Sequence, residues 1–125
     1  MEPKTPKPPK TELELAFTRL LNELKPAFNQ RPNFQSLLFL IGIQELGQLH
    51  RSFTKEEKQD LMHLAVCRLL SQCGYYELES HDPDGWPHYR QLKPLPQETR
   101  GLAPQENLLK QQMLVYFGKP LPPTP

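Results

Sequence analysis

Residues 80–89 read SHDPDGWPHY and place His81, Asp82, Asp84, Trp86, His88 and Tyr89 within ten positions. Imidazoles and carboxylates at this density are the usual material of metal ligation and of general acid–base chemistry. A calcium loop needs acids at alternate positions, then glycine, then a closing bidentate glutamate. With Gly85 set on the glycine, Ser80 takes the first acid position and Gln91 the closing one, while Pro83 and Pro87 interrupt the loop. A zinc site built on His81 and His88 needs further ligands, and Asp84, Glu45, His50 and His63 are the residues on offer. Metal or enzymatic chemistry around the hairpin histidines is thus one reading of the stretch.

Turn chemistry is the fuller reading. In Asp82-Pro83-Asp84-Gly85 the first residue accepts hydrogen bonds, the proline pre-sets φ, and the glycine suits the fourth place of a type I turn. A left-handed glycine after such a turn closes a hairpin through a G1 bulge. The flanking segments YYELE and HYRQLK are short, aromatic and partly alternating, as strands are. Centred on this turn, Glu77 faces Arg90 and Leu78 faces Tyr89, an ion pair and an aliphatic–aromatic pair that favour the ladder. Trp86, His88 and Tyr89 then form a hairpin tip suited to touch a partner, with Trp86 either contacting it or folding back as an anchor on the helices. As a contact residue, Trp86 could be truncated with loss of binding and no unfolding.

The elements that must position this hairpin are helical. Thr11 and Glu14 make a capping box for a first helix carrying Leu13, Phe17, Leu20, Leu21, Leu24 and Phe28 at helical spacing, closed by Pro26 and Pro32. A second helix is expected from Asn33, its N-cap, to about Leu49. Its centre LLFLIGI is apolar on every side, so it takes the central place in the fold. Glu45 follows Leu38 and Ile41 at helical spacing and sits at the rim of that stripe, where its carboxylate reaches water. Thr54 and Glu57 cap a third helix, with Glu56, Glu57 and Asp60 matched to its dipole, a stripe of Met62, Val66, Leu69 and Cys73 broadened by Leu61, Leu64 and Ala65, and Gly74 to stop it. His63 falls at its boundary, and Cys67 and Cys73 read as packing residues. A fourth helix from near Pro104 to Gly118 presents Leu108, Leu109, Met113, Tyr116 and Phe117.

The expectation is a mainly α domain from about Thr11 to Gly118. It has four helices, the second central, and one β-hairpin between the third and fourth helices at about residues 75–93. Residues 1–10 form a Pro/Lys-rich tail and 119–125 a Pro-rich tail. Both tails contain P-x-x-P spacings, Pro3 to Pro6 and Pro120 to Pro123 among them, which any proline-dense segment produces.

Composition narrows the function. The formal net charge of +1 gives no electrostatic footprint for nucleic acid. The longest apolar run, Leu37 to Ile43, is far short of the roughly 20 residues of a membrane span. The first ten residues lack the apolar core of a signal peptide. Two cysteines six positions apart on one helix are about 9 Å apart along its axis and cannot pair, which suits a reducing, cytoplasmic setting. No P-loop, dinucleotide fingerprint, paired-histidine zinc helix or nucleophile elbow occurs, and no cofactor is implied.

The segments FLIGIQELG, KEEKQDLMHLA, GYYELE and DGWPHY, over roughly Leu37 to Tyr89, resemble a family of small uncharacterised bacterial helical proteins, a likeness that implies no activity. The order of three helices and a hairpin also resembles winged-helix DNA-binding domains, in which the third helix reads the major groove. Against that stand Glu56, Glu57 and Asp60 on the third helix and Asp82 and Asp84 at the hairpin tip, where phosphate wants Lys or Arg. The leading expectation is a small non-enzymatic interaction or structural protein with a protein partner, a second copy of the chain included. A winged-helix-like nucleic-acid binder is the alternative.

Overall fold

The computed structural model describes residues 11–48, 52–99 and 101–122. The expected tail 1–10, His50 and the last three residues lie outside them. Four helices and a hairpin follow in the order α1 (Glu12–Phe28), α2 (Phe34–Leu46), α3 (Lys55–Ser71), β1 (Tyr76–His81), β2 (Pro87–Gln91), a 3₁₀ turn (Gln97–Thr99) and α4 (Leu102–Tyr116). No helix of the described residues is long and apolar enough to cross a membrane.

The helix ends are written in local chemistry. The Thr11 hydroxyl accepts from Glu14 N–H at 3.1 Å, and Thr54 and Glu57 satisfy each other's orphan amides. Asn33 caps α2 with Ser36 as its reciprocal partner. Gly74, at φ +86°, ends α3 in a Schellman motif: Tyr75 N–H donates to Leu70 O and Gly74 N–H to Ser71 O. The same pairing recurs at Gly118, whose following residue Lys119 also forms an ion pair with Glu23 of α1.

Three boundaries differ from the sequence expectation. Pro26 lies inside α1, which runs on to Phe28 and stops at Asn29 in the left-handed region. Pro26 removes one hydrogen bond and crowds the carbonyl four residues before it, and the helix ends within one turn of it. α2 stops at Leu46, three residues early, because Gly47 adopts φ +79° and donates to Ile43 O. α3 stops at Ser71, so Cys73 sits in the turn beyond it.

The core has two parts. The larger joins Phe17, Leu20 and Leu21 of α1, Leu37, Leu38 and Ile41 of α2, Ala65, Leu69 and Leu70 of α3, and Leu109, Met113 and Leu114 of α4. The smaller gathers Leu46, Leu61 and Leu64, with Phe39, Ile43, Phe53, Trp86 and Tyr89 packed on it. From Ser36 to Ile43 no residue of α2 is exposed, as its all-round apolar pattern requires. The element in contact with the most others, however, is α3, which meets α2, α4 and both strands. Its inner surface is accordingly wider than one stripe: Leu61, Leu64, Ala65, Cys67, Leu69 and Leu70 are all buried, while Met62 and Val66 are only half-buried.

α2 and α3 approach tightly at Gly42, where a Cβ would overlap the Leu61 carbonyl. Gly42→Ala sets a helix-propensity gain of about 1 kcal/mol against a clash with backbone that cannot move aside. A net loss of about 2 kcal/mol is expected, read as a lowered urea midpoint. A midpoint equal to the parent's would show that the two backbones do not meet there.

Candidate functional site

The hairpin has the expected register, Glu77 opposite Arg90 and Leu78 opposite Tyr89, and both pairs are formed, the first as an ion pair. Beyond them the ladder skips Glu79, so Ser80 faces His88 and His81 faces Pro87. This added bulge, which local sequence rules do not signal, changes the twist toward the tip.

At the tip, Gly85 N–H donates to Asp82 O and Asp82 N–H to Trp86 O, with Gly85 at φ +88°. That is a three-residue loop with a type I turn and G1 bulge. The Asp82 carboxylate organises it. One oxygen accepts from the N–H groups of Asp84 and Trp86, each at 2.9 Å, and the other pairs with His88 Nε2 at 3.0 Å. The hydrogen bond with His88, followed by that from Trp86 N–H, holds the Asp82 carboxyl below its ordinary value against an opposing desolvation. Gln48, just past α2, donates to Asp84 O at 3.1 Å and ties the tip to the helices.

Trp86 and Tyr89 are half-buried on Leu46, Leu61 and Leu64, so the hairpin folds back toward α3. Between them lies a groove of about 490 Å³. One wall is the α3 stripe Glu57, Asp60, His63, Leu64 and Cys67; the other is the hairpin's Asp82, Asp84, Trp86, Pro87, His88 and Tyr89. Among the described residues four carboxylates line it, and no lysine or arginine does.

Of the residues singled out from sequence, His63, Asp84, Trp86, His88 and Tyr89 all border this groove. His81 does not; it is exposed at the end of β1. Glu45 is held elsewhere. Arg68 Nε lies 3.0 Å from Glu45 Oε1, and the Tyr116 hydroxyl donates to Glu45 Oε2 at 2.8 Å, linking α2, α3 and α4. The Arg68 guanidinium also stands 5.4 Å from the Tyr116 ring centroid. Glu45 keeps part of its surface exposed, as a rim position implies, and its carboxylate is engaged by Arg68 and Tyr116. Burial, then the Glu45 hydrogen bond and charge, push the Tyr116 phenol well above its ordinary value. Tyr89 borders both features: burial raises its phenol, and the charges of Glu45 and Arg68 act on it.

Among the described residues Glu45 does not share a cleft with His63 and His88, which border the groove instead. Among the described residues no three His, Cys, Asp or Glu side chains are grouped to hold an ion. One pairing with chemical potential was missed in the sequence. Cys67 Sγ lies 3.6 Å from His63 Nε2, one helical turn apart. Burial, however, pushes the Cys67 thiol up, away from the thiolate that nucleophilic chemistry needs. Glu57, Asp60 and Cys67 as groove residues were also missed, although their three- and seven-residue spacings on one helix face were a usable signal.

Comparison with family models, curated proteins and solved structures gives no match to this chain. The functional reading rests on the geometry.

Two expectations follow. A carboxyl whose pKa is lowered by folding stabilises the native state above its unfolded value, about 3.9, and that contribution is lost as pH falls through the folded value. Acidification from about pH 6 to about pH 2 should therefore release the hairpin tip, seen as lower protection factors of the Trp86 and Asp84 amides once their slower intrinsic exchange at low pH is divided out. Asp82→Asn should abolish that pH dependence, and its persistence would place the titration elsewhere. Separately, Tyr116→Phe removes a hydrogen bond to a part-buried carboxylate and should cost about 1–2 kcal/mol of unfolding free energy. An unchanged denaturation midpoint would show that the hydroxyl and Glu45 are equally well served by water.

Proposed function

We propose that this protein is a small non-enzymatic interaction domain, and that its contact surface is the groove between α3 and the hairpin tip. The observation that carries the reading is the groove itself: a concavity of about 490 Å³ in which Trp86 and Tyr89 meet carboxylates on both walls. Ligand clefts commonly span about 300–1,000 Å³, and tryptophan and tyrosine are the residues most used as binding anchors. The surface is also pre-formed, since the Asp82 hydrogen bonds and the Gln48–Asp84 contact fix the tip before any partner arrives. Pre-organisation lowers the entropic cost of binding.

The same lining works against the winged-helix alternative. The face α3 shares with the hairpin would present Glu57, Asp60, Asp82 and Asp84 to phosphate. Cytoplasm is the proposed setting, supported by the two unpaired cysteines, Cys67 and Cys73.

Half-burial of Trp86 makes it an anchor as well as a contact, so its truncation would disturb the fold and binding together. His63, exposed on the α3 wall, separates the two. A photo-crosslinking amino acid at position 63 should trap one defined polypeptide in cells, a second copy of the chain being one such product, and the purified pair should bind in solution. The same group at Leu15, exposed on α1, should not trap it. Equal trapping from both positions, or none from position 63, would overturn the reading.

A further inference from the structure

We infer, on the reading that the groove is a contact surface, that its occupant is an arginine side chain of a partner polypeptide flanked by apolar residues. The charge on the walls selects a cation. Of the four carboxylates, two are engaged within the chain: Glu57 accepts from Thr54 N–H, and Asp82 serves the tip amides and His88. The carboxylates of Asp60, on the helix wall, and Asp84, on the hairpin wall, have no partner among the described residues. Among the described residues His63 and His88 are the only basic side chains in the lining.

The aromatic residues decide which cation. A small hydrated ion gains nothing from Trp86 and Tyr89, and the described acids are not grouped to coordinate one. Arginine uses both features. Its guanidinium is weakly hydrated, stacks on aromatic faces and takes carboxylates through several N–H groups at once. Its methylene stem can lie on apolar surface such as that around Leu64 and Pro87. Lysine offers a point charge that stacks less well and holds its water more strongly.

The test uses the full chain, isotope-labelled, titrated at physiological salt with acetyl-GLRLG-amide and with analogues carrying lysine, citrulline or glutamate in place of arginine. Citrulline keeps the shape of arginine and removes its charge. The arginine peptide should shift the Trp86 indole and the amides of Asp60 and Asp84, and should bind about tenfold or more tighter than the citrulline peptide. The double variant Asp60→Asn, Asp84→Asn should bring the two peptides to equal affinity while hairpin resonances stay folded. Equal binding of the arginine and citrulline peptides in the parent groove would overturn cation selection and leave the groove as a contact surface. Arginine-dependent shifts scattered over the whole surface would overturn it as non-specific charge pairing. No groove shift from any peptide at millimolar concentration, together with no crosslink from position 63, would overturn both readings.

Discussion

The meeting of α2 and α3 at Gly42 is the constraint on which the rest of the molecule depends. With no side chain there, the Leu61 carbonyl approaches the α2 backbone directly. The approach does more than seal the main core. It brings Leu46 beside Leu61 and Leu64 and creates a second apolar surface on the N-terminal half of α3. A hairpin leaving the end of α3 can double back along that helix only if such a surface receives it. Trp86 and Tyr89 supply the matching apolar area, each large aromatic contributing on the order of 2 kcal/mol or more when well buried. The groove is the space left where the hairpin's polar tip fails to close over the charged first turns of α3.

Polar contacts then set what hydrophobic packing leaves loose. Apolar burial has no direction, so it would hold the hairpin near α3 without fixing the angle of its tip. Asp82 fixes that angle by binding two amides and one imidazole through a single carboxylate. Glu45 plays the corresponding part behind the groove, where Arg68 and Tyr116 converge on it and lock three helices in register. Both devices use a carboxylate as a hub, since its two oxygens accept several hydrogen bonds in different directions. Tyr89 stands between them, with its ring on the second apolar cluster and its hydroxyl in the field of the Glu45–Arg68 pair.

What was legible in the sequence was whatever a few neighbouring residues decide. The caps at Thr54, Asn33 and Gly74 follow from side chains within four positions of the helix ends, and the DPDG turn and the Glu77–Arg90 register follow from one loop. Errors came where a distant partner overrules local preference. Glu45 reads as a residue that serves only water because Tyr116, its partner, lies 71 positions away. His63, Trp86 and His88 were singled out for their chemistry, but nothing local says that the third helix and the hairpin tip face one another. The bulge at Glu79 was illegible for the same reason: it adjusts twist to a helix surface that the strand sequence does not encode.

The combination of groups in the groove argues for recognition over reaction. A thiol and an imidazole 3.6 Å apart have the outline of a nucleophilic pair, but Cys67 is buried in a setting that favours the neutral thiol. Carboxylates on the walls would oppose a thiolate rather than stabilise one, since no lysine or arginine is among the described residues of the lining. The same field that disfavours an anionic nucleophile favours an incoming cation. One electrostatic property of the lining therefore has opposite consequences for the two functions, and in both cases it favours the proposed reading of the groove as a seat for a positive group.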